Sequence, residues 1–554
     1  MALSLVALTG CDSVLDKEPL DSFTNGNFWT SENNVRGYGF AFYSEFLGYG
    51  NGNTLGNFYF KVLSDDQAGN AFTDFTPIQI PASNSSWKSS WEEVRRANIL
   101  LENVNRVPMS DVAKAHWAGV AKLMRAWHYY KLVREFGNVP WVDKSLDITD
   151  TGVLYGSREN RDGIMDKVLA DLNEAIPALY DNSKNEINRA VGNAMKSEIC
   201  LYEGTFRKYR PTPDATGAQK FLTASKEASE AIMAKGYKLS NTYRENYNSL
   251  ELGKNTEMIL YKEYKTGILT HSTVGYITSS TQIHGLSKNA VESYLFADGK
   301  PLALTTENKD DEARLMVKDR KLSNGTVIKD TVMNIRHMLA VRDNRLAQTI
   351  DTALCYINRD FVGTTSSTGY RVIKYDNASL SANDRLIPSN PTDAPIFWLS
   401  VIYLNYAEAC AELGTISDTD LNKSINLLRK RAGIPALSVE VGYDDPANNM
   451  GVSPLIWEIR RERRCELMMD NYTRYWDLVR WHQLDKLDSS RYPDILLGAN
   501  ISQDVNNTGV LRKGSYVDGS KGLTRSFDTK YYLQPIPSGQ ISLNENLLPN
   551  NPGW

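Results

Sequence analysis

The feature that most constrains the fold is a series of amphipathic helical segments that occur in pairs. In the segment predicted at 111–136, apolar residues recur at the spacing of one helix face, and Gly137 and Pro140 then end the helix. The members of this face are Trp117, Val120, Ala121, Met124 and Trp127. A helix predicted at 91–106 precedes it and completes the pair. We therefore expect the chain to bury its apolar faces between stacked helices.

Further helix pairs are predicted at 160–209, at 215–236 with 397–413, and at 420–483. Helix pairs joined by short turns are how tetratricopeptide-type arrays bury their faces. No strict period is visible, so any repeats are degenerate. Residues 237–394 interrupt the pattern with short runs rich in Thr, Ser, Asn and Gly. A long irregular insertion of this kind is usually functional or heavily packed.

The stretch from Trp457 to Asp470 is typical of a helix, but it carries more charge than a soluble helix needs. Like charges stack at i, i+4 spacing, which mildly destabilises an isolated helix. The stacked residues are Glu458, Glu462 and Glu466 on one row, and Arg460 and Arg464 on another. We expect their partners elsewhere in the fold, as packed arginine–carboxylate pairs. This interpretation makes the helix a scaffold element rather than a catalytic cluster.

Composition is that of a soluble globular protein, and 554 residues suggest several domains or a repeat array. The net charge of −4 gives no basic surface, which argues against a nucleic-acid partner. No stretch is long and apolar enough to predict a transmembrane helix. The chain has 29 Tyr and 11 Trp, more ring surface than a core strictly needs. Some of these rings are therefore expected to be exposed for stacking on flat ligands such as sugars.

The cysteines are of two kinds. Four of them form no C-x-x-C pair and are expected to be buried thiols: Cys200, Cys355, Cys410 and Cys465. Cys11 instead ends a short apolar run with the sequence Leu-Thr-Gly-Cys, which resembles the lipobox of a bacterial lipoprotein signal peptide. We expect 1–10 to be a signal remnant, 11–27 a tether lipidated at Cys11, and 28–554 a single domain. An ordinary N-terminal segment is the alternative.

Several motifs in order along the whole chain resemble the SusD/RagB family, surface lipoproteins of Bacteroidetes that bind glycans or other nutrients beside an outer-membrane transporter. Besides the lipobox and the charged helix, the motifs are Leu123-Met-Arg-Ala-Trp-His-Tyr-Tyr130, Phe136-Gly-Asn-Val-Pro140, Asp298-Gly299, Asp343-Asn-Arg-Leu346, Tyr403-Leu-Asn-Tyr-Ala-Glu-Ala409, Trp476-Asp-Leu-Val-Arg-Trp481, Pro535-Ile-Pro537 and Asn551-Pro-Gly-Trp554. Each motif alone is weak, but their order and spacing are specific to the family.

The resemblance implies a mainly α fold, in which four degenerate tetratricopeptide-like helix pairs pack against an irregular, loop-rich half with few short strands. The third pair would be split by the insertion at 237–394. The resemblance also implies a SusC-like TonB-dependent transporter as partner, with the lipoprotein exposed on the cell surface and anchored to the outer membrane. No cofactor is implied.

Members of the family usually bind sugar in a shallow site built from loops, by aromatic stacking and side-chain hydrogen bonds. By position, the candidate segments here are the loop at 64–87 and the insertion near 270–294. The residues proposed as ligand contacts are Trp87, Phe72, Tyr276, Asp66, Asn70 and His284. These positions lie outside the stronger family motifs, so their assignment rests on residue type and place alone.

Catalytic and metal chemistry find little support in the sequence. Asp65 and Asp66 are adjacent, whereas glycoside hydrolysis needs two carboxylates held across a scissile bond, so we expect a binding or turn role. The histidines lack a metal-ligand spacing such as H-E-x-x-H, and His128 is expected to be a packing residue with satisfied hydrogen bonds. No serine elbow, Walker loop or dinucleotide fingerprint occurs in a suitable context.

The sequence thus favours a non-enzymatic, lipid-anchored nutrient-binding protein that captures an oligosaccharide and delivers it to a SusC-like transporter. Three alternatives remain open at this point. The first is a peptide-binding lid of a peptide importer, and the second is a surface glycoside hydrolase. The third is a structural lid that makes no ligand contact.

Overall fold

The computed structural model describes residues 28–69, 74–181, 184–278, 284–307, 315–356, 366–502 and 512–554. Helices dominate it. In chain order they are α1 (Glu32–Phe40), α2 (Ser85–Asn103), α3 (Asp111–Phe136), α4 (Thr151–Leu154), α5 (Arg161–Ala178), α6 (Arg189–Tyr209), α7 (Ala215–Met233), α8 (Glu245–Asn248), α9 (Thr273–Thr278), α10 (Lys288–Ser293), α11 (Ile335–Ala340), α12 (Asn344–Thr349), α13 (Leu399–Glu412), α14 (Asp418–Asn422), α15 (Ile425–Ala432), α16 (Pro454–Glu466), α17 (Thr473–Arg480) and α18 (Ser538–Leu543).

The strands are short and form small antiparallel sheets. They are β1 (Gly50–Asn51), β2 (Thr54–Leu55), β3 (Gln67–Ala68), β4 (Met258–Lys262), β5 (Gly285–Leu286), β6 (Leu315–Lys321), β7 (Val327–Met333), β8 (Ala394–Trp398), β9 (Leu497–Asn500), β10 (Arg512–Lys513) and β11 (Tyr516–Asp518). The pairs are β1 with β2, β3 with β5, β4 with β8, β6 with β7, and β11 with both β9 and β10. The predicted mainly α fold with few short strands is confirmed.

The long helices pack as successive neighbours, α2 on α3, α3 on α5, α6 on α7, α7 on α13, and α13 on α16. Glycine allows the closest of these approaches. A Cβ at Gly204 of α6 would lie 2.7 Å from the Leu222 side chain of α7. Helix α7 also packs on α13, although the irregular half separates the two helices in sequence, and their assignment as the third helix pair stays a prediction.

The charged helix α16 begins at the N-cap Ser453, whose side chain accepts a hydrogen bond from the Ile456 N–H, with Pro454 in the first turn. Its charges are buried and paired with other elements, as the sequence predicts. Arg345 reaches Glu462 at 2.5 Å and Glu466 at 2.9 Å, and Arg431 also binds Glu466. The helix is a scaffold element held by ion pairs on several sides.

Some local predictions are corrected. Helix α2 begins at Ser85, six residues before the predicted start at 91, because Asn84 caps it by accepting from the Trp87 N–H. His128 is buried as predicted, but neither ring nitrogen has a partner among the described residues, and burial lowers its pKa to about 4. The four cysteines predicted as buried thiols are all buried.

Candidate functional site

The structure removes Trp87 from the predicted loop. It lies in the first turn of α2, is 5% exposed, and packs edge to face on Phe136 with ring centroids 5.0 Å apart. A sugar needs an open ring face, and this indole is enclosed by the core. Trp87 therefore supports the fold behind the loop, and the prediction that it stacks on a ligand conflicts with its burial.

Asp66 is also engaged in the scaffold. It is 2% exposed, and its Oδ1 accepts from Arg464 Nε of α16 at 2.9 Å. Its neighbour Asp65 accepts two hydrogen bonds from Arg474, at 2.8 and 2.7 Å. The predicted ligand contact at Asp66 conflicts with this pairing, because the carboxylate anchors the loop to α16 instead of facing solvent.

Tyr276 and His284 lie beside two consecutive aromatic residues of the N-terminal region. The Tyr276 ring is half-buried and meets Phe60 edge to face at 5.3 Å, while Tyr59 donates to the His284 carbonyl at 3.0 Å. The His284 Nδ1 has no partner among the described residues, and burial lowers the pKa of this imidazole to about 4. Phe60 and Tyr276 thus form an aromatic pair that remains a candidate contact.

Three predicted positions lie outside the described residues: Phe72, Asn70 and Cys11. Their predicted roles, ligand contact for the first two and lipidation for the third, stay predictions.

A larger concave site lies where the helical array meets the N-terminal segment. It consists of cavities of about 590 and 450 Å³ that share the lining residues Ser85, Ser86, Arg134, Glu135, Tyr472 and Trp476. We call these two connected cavities the groove. The second cavity is also lined by Thr76, Pro77 and Pro81, so the loop predicted at 64–87 does border the site even though Trp87 does not.

Helix α3 supplies one wall of the groove. Its lining residues Trp127, Tyr130, Lys131 and Arg134 follow i, i+3, i+4, i+7 spacing, which places them on one helix face. The helix begins at the N-cap Ser110 and ends at Gly137, whose φ of 70° suits glycine. Helix α6 adds Glu198 beside this wall.

The bend between α16 and α17 supplies the facing wall. Met469, Asn471 and Tyr472 all have positive φ, between 46° and 63°, a conformation that is costly for non-glycine residues and is often found at functional sites. The bend places Tyr472 and Trp476 against the groove. One face of Tyr472 is covered by Tyr475, stacked at 4.7 Å, and the rest of the ring lines both cavities.

Arg134 spans the two walls. Its guanidinium carbon lies 4.2 Å from the ring centroid of Trp476 and 4.9 Å from that of Tyr130, and its Nη1 donates to the Tyr130 hydroxyl at 3.2 Å. The Arg134 Nε has no hydrogen-bond partner in the described part of the chain. A buried guanidinium with an unused donor can bind an incoming hydroxyl or carboxylate.

Two carboxyl groups accompany Arg134. Burial raises the pKa of Glu198, and Arg134 and Arg463 offset only part of this increase. Burial likewise raises the pKa of Glu135, again partly offset by Arg134, and its carboxylate accepts from Ser86. No direct hydrogen bond or ion pair to the Glu198 carboxyl occurs among the described residues. The groove thus combines aromatic rings with polar groups that the protein itself leaves underused.

At the other end of the large cavity, the carboxylate of Glu45 is paired. Lys131 donates to Glu45 at 2.5 Å and the Trp127 indole donates to the same oxygen at 3.2 Å. Burial acts to raise the pKa of Glu45, but the charges of Lys131 and His128 together with hydrogen bonds from Lys131 and Trp127 outweigh it, and the pKa is lowered. The available hydrogen-bonding groups are therefore concentrated near Arg134.

The sequence contains a pattern that indicates the α3 wall of the groove, although no single residue in this pattern marks a site. The family-like motif from Leu123 to Tyr130 is followed by charged residues at the spacing of one helix turn, so aromatic and charged side chains share one helix face. A purely structural face would be apolar. The facing wall lies more than 300 residues later in the chain, and no local pattern connects the two.

Within the described ranges, no group of three or more histidine, cysteine, aspartate or glutamate side chains is placed to hold a metal ion. No described helix combines the length and the apolar character needed to cross a bilayer.

Comparison with known families gives matches over most of the chain. Residues 229–554 match the model of the SusD family, and residues 51–199 match a model described as starch-binding and associating with the outer membrane. The first match covers more than half of the chain.

Among curated proteins, the chain is 24% identical over 489 residues to SusD-like protein P2 of Formosa agariphila, covering 84% of this chain and 80% of that protein. It is 23% identical to the starch-binding protein SusD of Bacteroides thetaiotaomicron, covering 77% and 81%. A crystal structure of a SusD-like carbohydrate binding protein from Bacteroides fragilis superposes with a TM-score of 0.68 at 20% identity, covering 94% of this chain and all of that one. At this identity the superposition establishes a shared fold.

Proposed function

The chain belongs to the SusD family, and from this premise we propose that it binds an oligosaccharide in the groove at the cell surface and passes it to a SusC-like TonB-dependent transporter. The observation that carries the proposal is the composition of the groove. Aromatic rings at Tyr472 and Trp476 lie beside Arg134 and Glu198, whose polar atoms are not fully used by the protein. Relatives whose names refer to starch or carbohydrate support the ligand class.

The proposed binding follows from the chemistry of sugars. Axial C–H groups give a pyranose an apolar face that packs on an aromatic ring, while its hydroxyls bond to charged side chains. The larger cavity, at about 590 Å³, lies within the range of small-molecule sites. Modest affinity with fast release suits a protein that must hand its ligand on. The pair Phe60 and Tyr276 is a second proposed contact.

Anchoring and partnership belong to the same proposal. We expect Cys11 to carry a lipid that holds the domain at the outer membrane. Replacing Cys11 by Ala is expected to move the protein from the membrane fraction to the soluble fraction, and continued membrane retention would count against the anchor. Co-purification of a TonB-dependent barrel with the wild-type protein from detergent-solubilised membranes tests the partner.

The central experiment measures oligosaccharide binding to a soluble form that starts at residue 28. The groove variant Trp476→Ala is expected to weaken binding about three- to tenfold, since it removes a stacking ring. Trp141→Ala is the matched control, because Trp141 is also half-buried, stacks on a tyrosine, and lies under the cations Arg125 and Lys167 outside the groove.

Three results would change the conclusion. Equal oligosaccharide affinity of Trp476→Ala and wild type would show that the groove is not the binding site. Weaker oligosaccharide binding by Tyr276→Ala would then place the binding site at the aromatic pair. Retention of peptides with no response to any glycan would favour the peptide-importer reading. Release of new reducing ends by purified protein would instead identify a glycoside hydrolase, with Glu135 and Glu198 as the first carboxyl groups to replace.

A further inference from the structure

A second cavity, separate from the groove, is walled by cationic side chains. It encloses about 360 Å³ between one face of α16, the start of α17, helix α10 and the turn at 491–495, and it shares no lining residue with the groove. Its cations are Arg460, Arg461, Arg464, Arg474, Lys486 and Arg491. We call it the arginine cavity.

Most of these cations are paired with carboxylates, and the remaining cations have unused hydrogen-bond donors. Arg464 uses its donors on Asp66, Asn289 and the Asp65 carbonyl. Arg461 is held by two carboxylates, Glu458 and Asp445. The acidic residues Glu292 and Asp494, which also line the cavity, are both paired with Lys288. These contacts account for Arg461 and Arg464, whereas Arg460, Lys486 and Arg474 have donors that are not all used.

Arg460 is buried between the rings of Tyr209 and Trp481, and it makes fewer hydrogen bonds than its donors allow. It is 2% exposed, and its Nε has no hydrogen-bond partner among the described residues. Its Nη1 meets only the Met450 sulfur at 3.7 Å, and its Nη2 reaches Glu412 at 3.3 Å. Glu412 also accepts shorter bonds from Lys208 and Tyr209, both at 2.7 Å. A buried guanidinium left in this state is costly, because such groups are normally fully hydrogen-bonded.

Lys486 adds a second underused cation. It is 8% exposed, its Nζ donates to the Tyr492 hydroxyl at 2.6 Å, and its paired carboxylate, Asp485, lies 3.8 Å away. Arg474 binds Asp65 through Nε and Nη2, so its described contacts leave Nη1 available. Aromatic surface from Trp457 and Tyr492 completes the wall.

We propose that the arginine cavity binds a small oxyanion, either an inorganic anion such as sulfate or phosphate or the carboxylate of an acidic sugar, on Arg460, Lys486 and Arg474. Guanidinium and ammonium side chains line one cavity, and an oxyanion supplies acceptors for their unused donors. The volume accommodates a group up to the size of a single sugar. This site adds a binding function to a helix whose other charges are structural.

The test measures the melting temperature at constant ionic strength with millimolar sulfate, phosphate, glucuronate or glucose against chloride. One oxyanion is expected to raise the melting temperature by about 2 °C or more, while neutral glucose leaves it unchanged. A response to sulfate and phosphate identifies an inorganic anion, and a response to glucuronate identifies an acidic sugar. Either result supports the site.

Two variants separate specific binding from the general stabilising effect of such salts. Lys486→Gln is expected to abolish the shift, whereas Lys235→Gln, a surface lysine paired with Asp181, keeps it. If Lys486→Gln does not fold, Ala447→Trp serves instead, because Ala447 is an exposed lining residue whose replacement blocks the cavity without touching a cation. Equal shifts in wild type and the cavity variants would overturn the proposal. Binding of neutral oligosaccharide in the groove is measured independently of this outcome.

Discussion

Buried charges are used in two opposite ways in this protein. Around α16, each arginine and carboxylate of the Arg345 cluster meets a partner: Arg345 with Asp343 at 2.6 Å, and Arg431 with Glu257 at 2.9 Å. In the groove, Arg134 lies between the rings of Tyr130 and Trp476 with an unpaired Nε, and Glu198 also lines the cavity without a direct partner among the described residues. The charge density of the sequence is highest in α16, where most charges are paired within the scaffold. The Arg345 cluster consists of direct ion pairs, whereas the groove places polar groups beside aromatic rings.

The largest expected effect comes from breaking the paired cluster. Arg345→Met leaves Asp343, Glu462 and Glu466 buried without their shared guanidinium, and we expect the free energy of unfolding to fall by about 3–5 kcal/mol. Chemical denaturation measures it. The control is Arg36→Met, which removes a half-exposed pair with Glu186 and is expected to cost less than about 1 kcal/mol. Similar losses for the two variants would contradict the assignment of the cluster as scaffold.

Arg464→Gln is the next largest. It removes the buried contact with Asp66 and a hydrogen bond to Asn289, so we expect a loss of about 2–3 kcal/mol in unfolding free energy. The affinity of the folded protein for oligosaccharide is expected to stay unchanged, because Arg464 does not line the groove. Weaker oligosaccharide binding at an unchanged melting temperature would place the site at Asp66, as the sequence first suggested.

The scaffold was more accessible to sequence reasoning than the site. The positions of the long helices follow from local periodicity and caps, such as Ser110 before α3 and Gly433 after α15, and most of these predictions hold to within a few residues. The pairing of α16 with other elements followed from like charges stacked on one helix. Both inferences depend only on sequence patterns that extend over about twenty residues.

The site depends on contacts that no local pattern contains. Asp66 resembles a loop carboxylate until Arg464, 398 residues away, is seen to bind it. From the sequence, Trp87 resembles an exposed loop aromatic. Because Asn84 caps α2, the helix begins earlier than predicted, and the Trp87 ring packs in the core. The groove itself exists only because a strained bend brings Trp476 to Arg134.

An arginine-to-methionine substitution in the groove can be compared directly with Arg345→Met in the scaffold. Arg134→Met is expected to cost about 2 kcal/mol or less of stability, since it removes two cation–π contacts, one hydrogen bond to Tyr130 and a charge that partly offsets the burial of Glu135 and Glu198. Oligosaccharide affinity is expected to fall about tenfold or more, through loss of a charged hydrogen bond. Calorimetric titration and denaturation of one sample measure both. A stability loss as large as that of Arg345→Met would make Arg134 another scaffold residue.

The smallest expected effect is a difference in pH dependence between a groove carboxyl and a scaffold carboxyl. Burial raises the pKa of Glu198 in the folded state, so its stabilising contribution is present below the unfolded pKa near 4.5 and is lost as the pH rises through the folded pKa. For Glu408, burial is opposed and outweighed by Arg480, and the pKa is lowered to about 2. Its contribution is present above 4.5 and is lost as the pH falls towards 2.

The variants Glu198→Gln and Glu408→Gln test these opposite pH dependences of the unfolding free energy. Relative to wild type, Glu198→Gln is expected to gain unfolding free energy as the pH rises from 4 to 7, because the wild type must then ionise a carboxyl that lacks a direct partner. Glu408→Gln is expected to lose it from pH 2 to 5, because only the wild type forms the ionised pair with Arg480. Parallel pH profiles for the two variants would mean that Glu198 is paired in solution. The groove would then resemble the scaffold, and its carboxyl would not be free to bind a ligand.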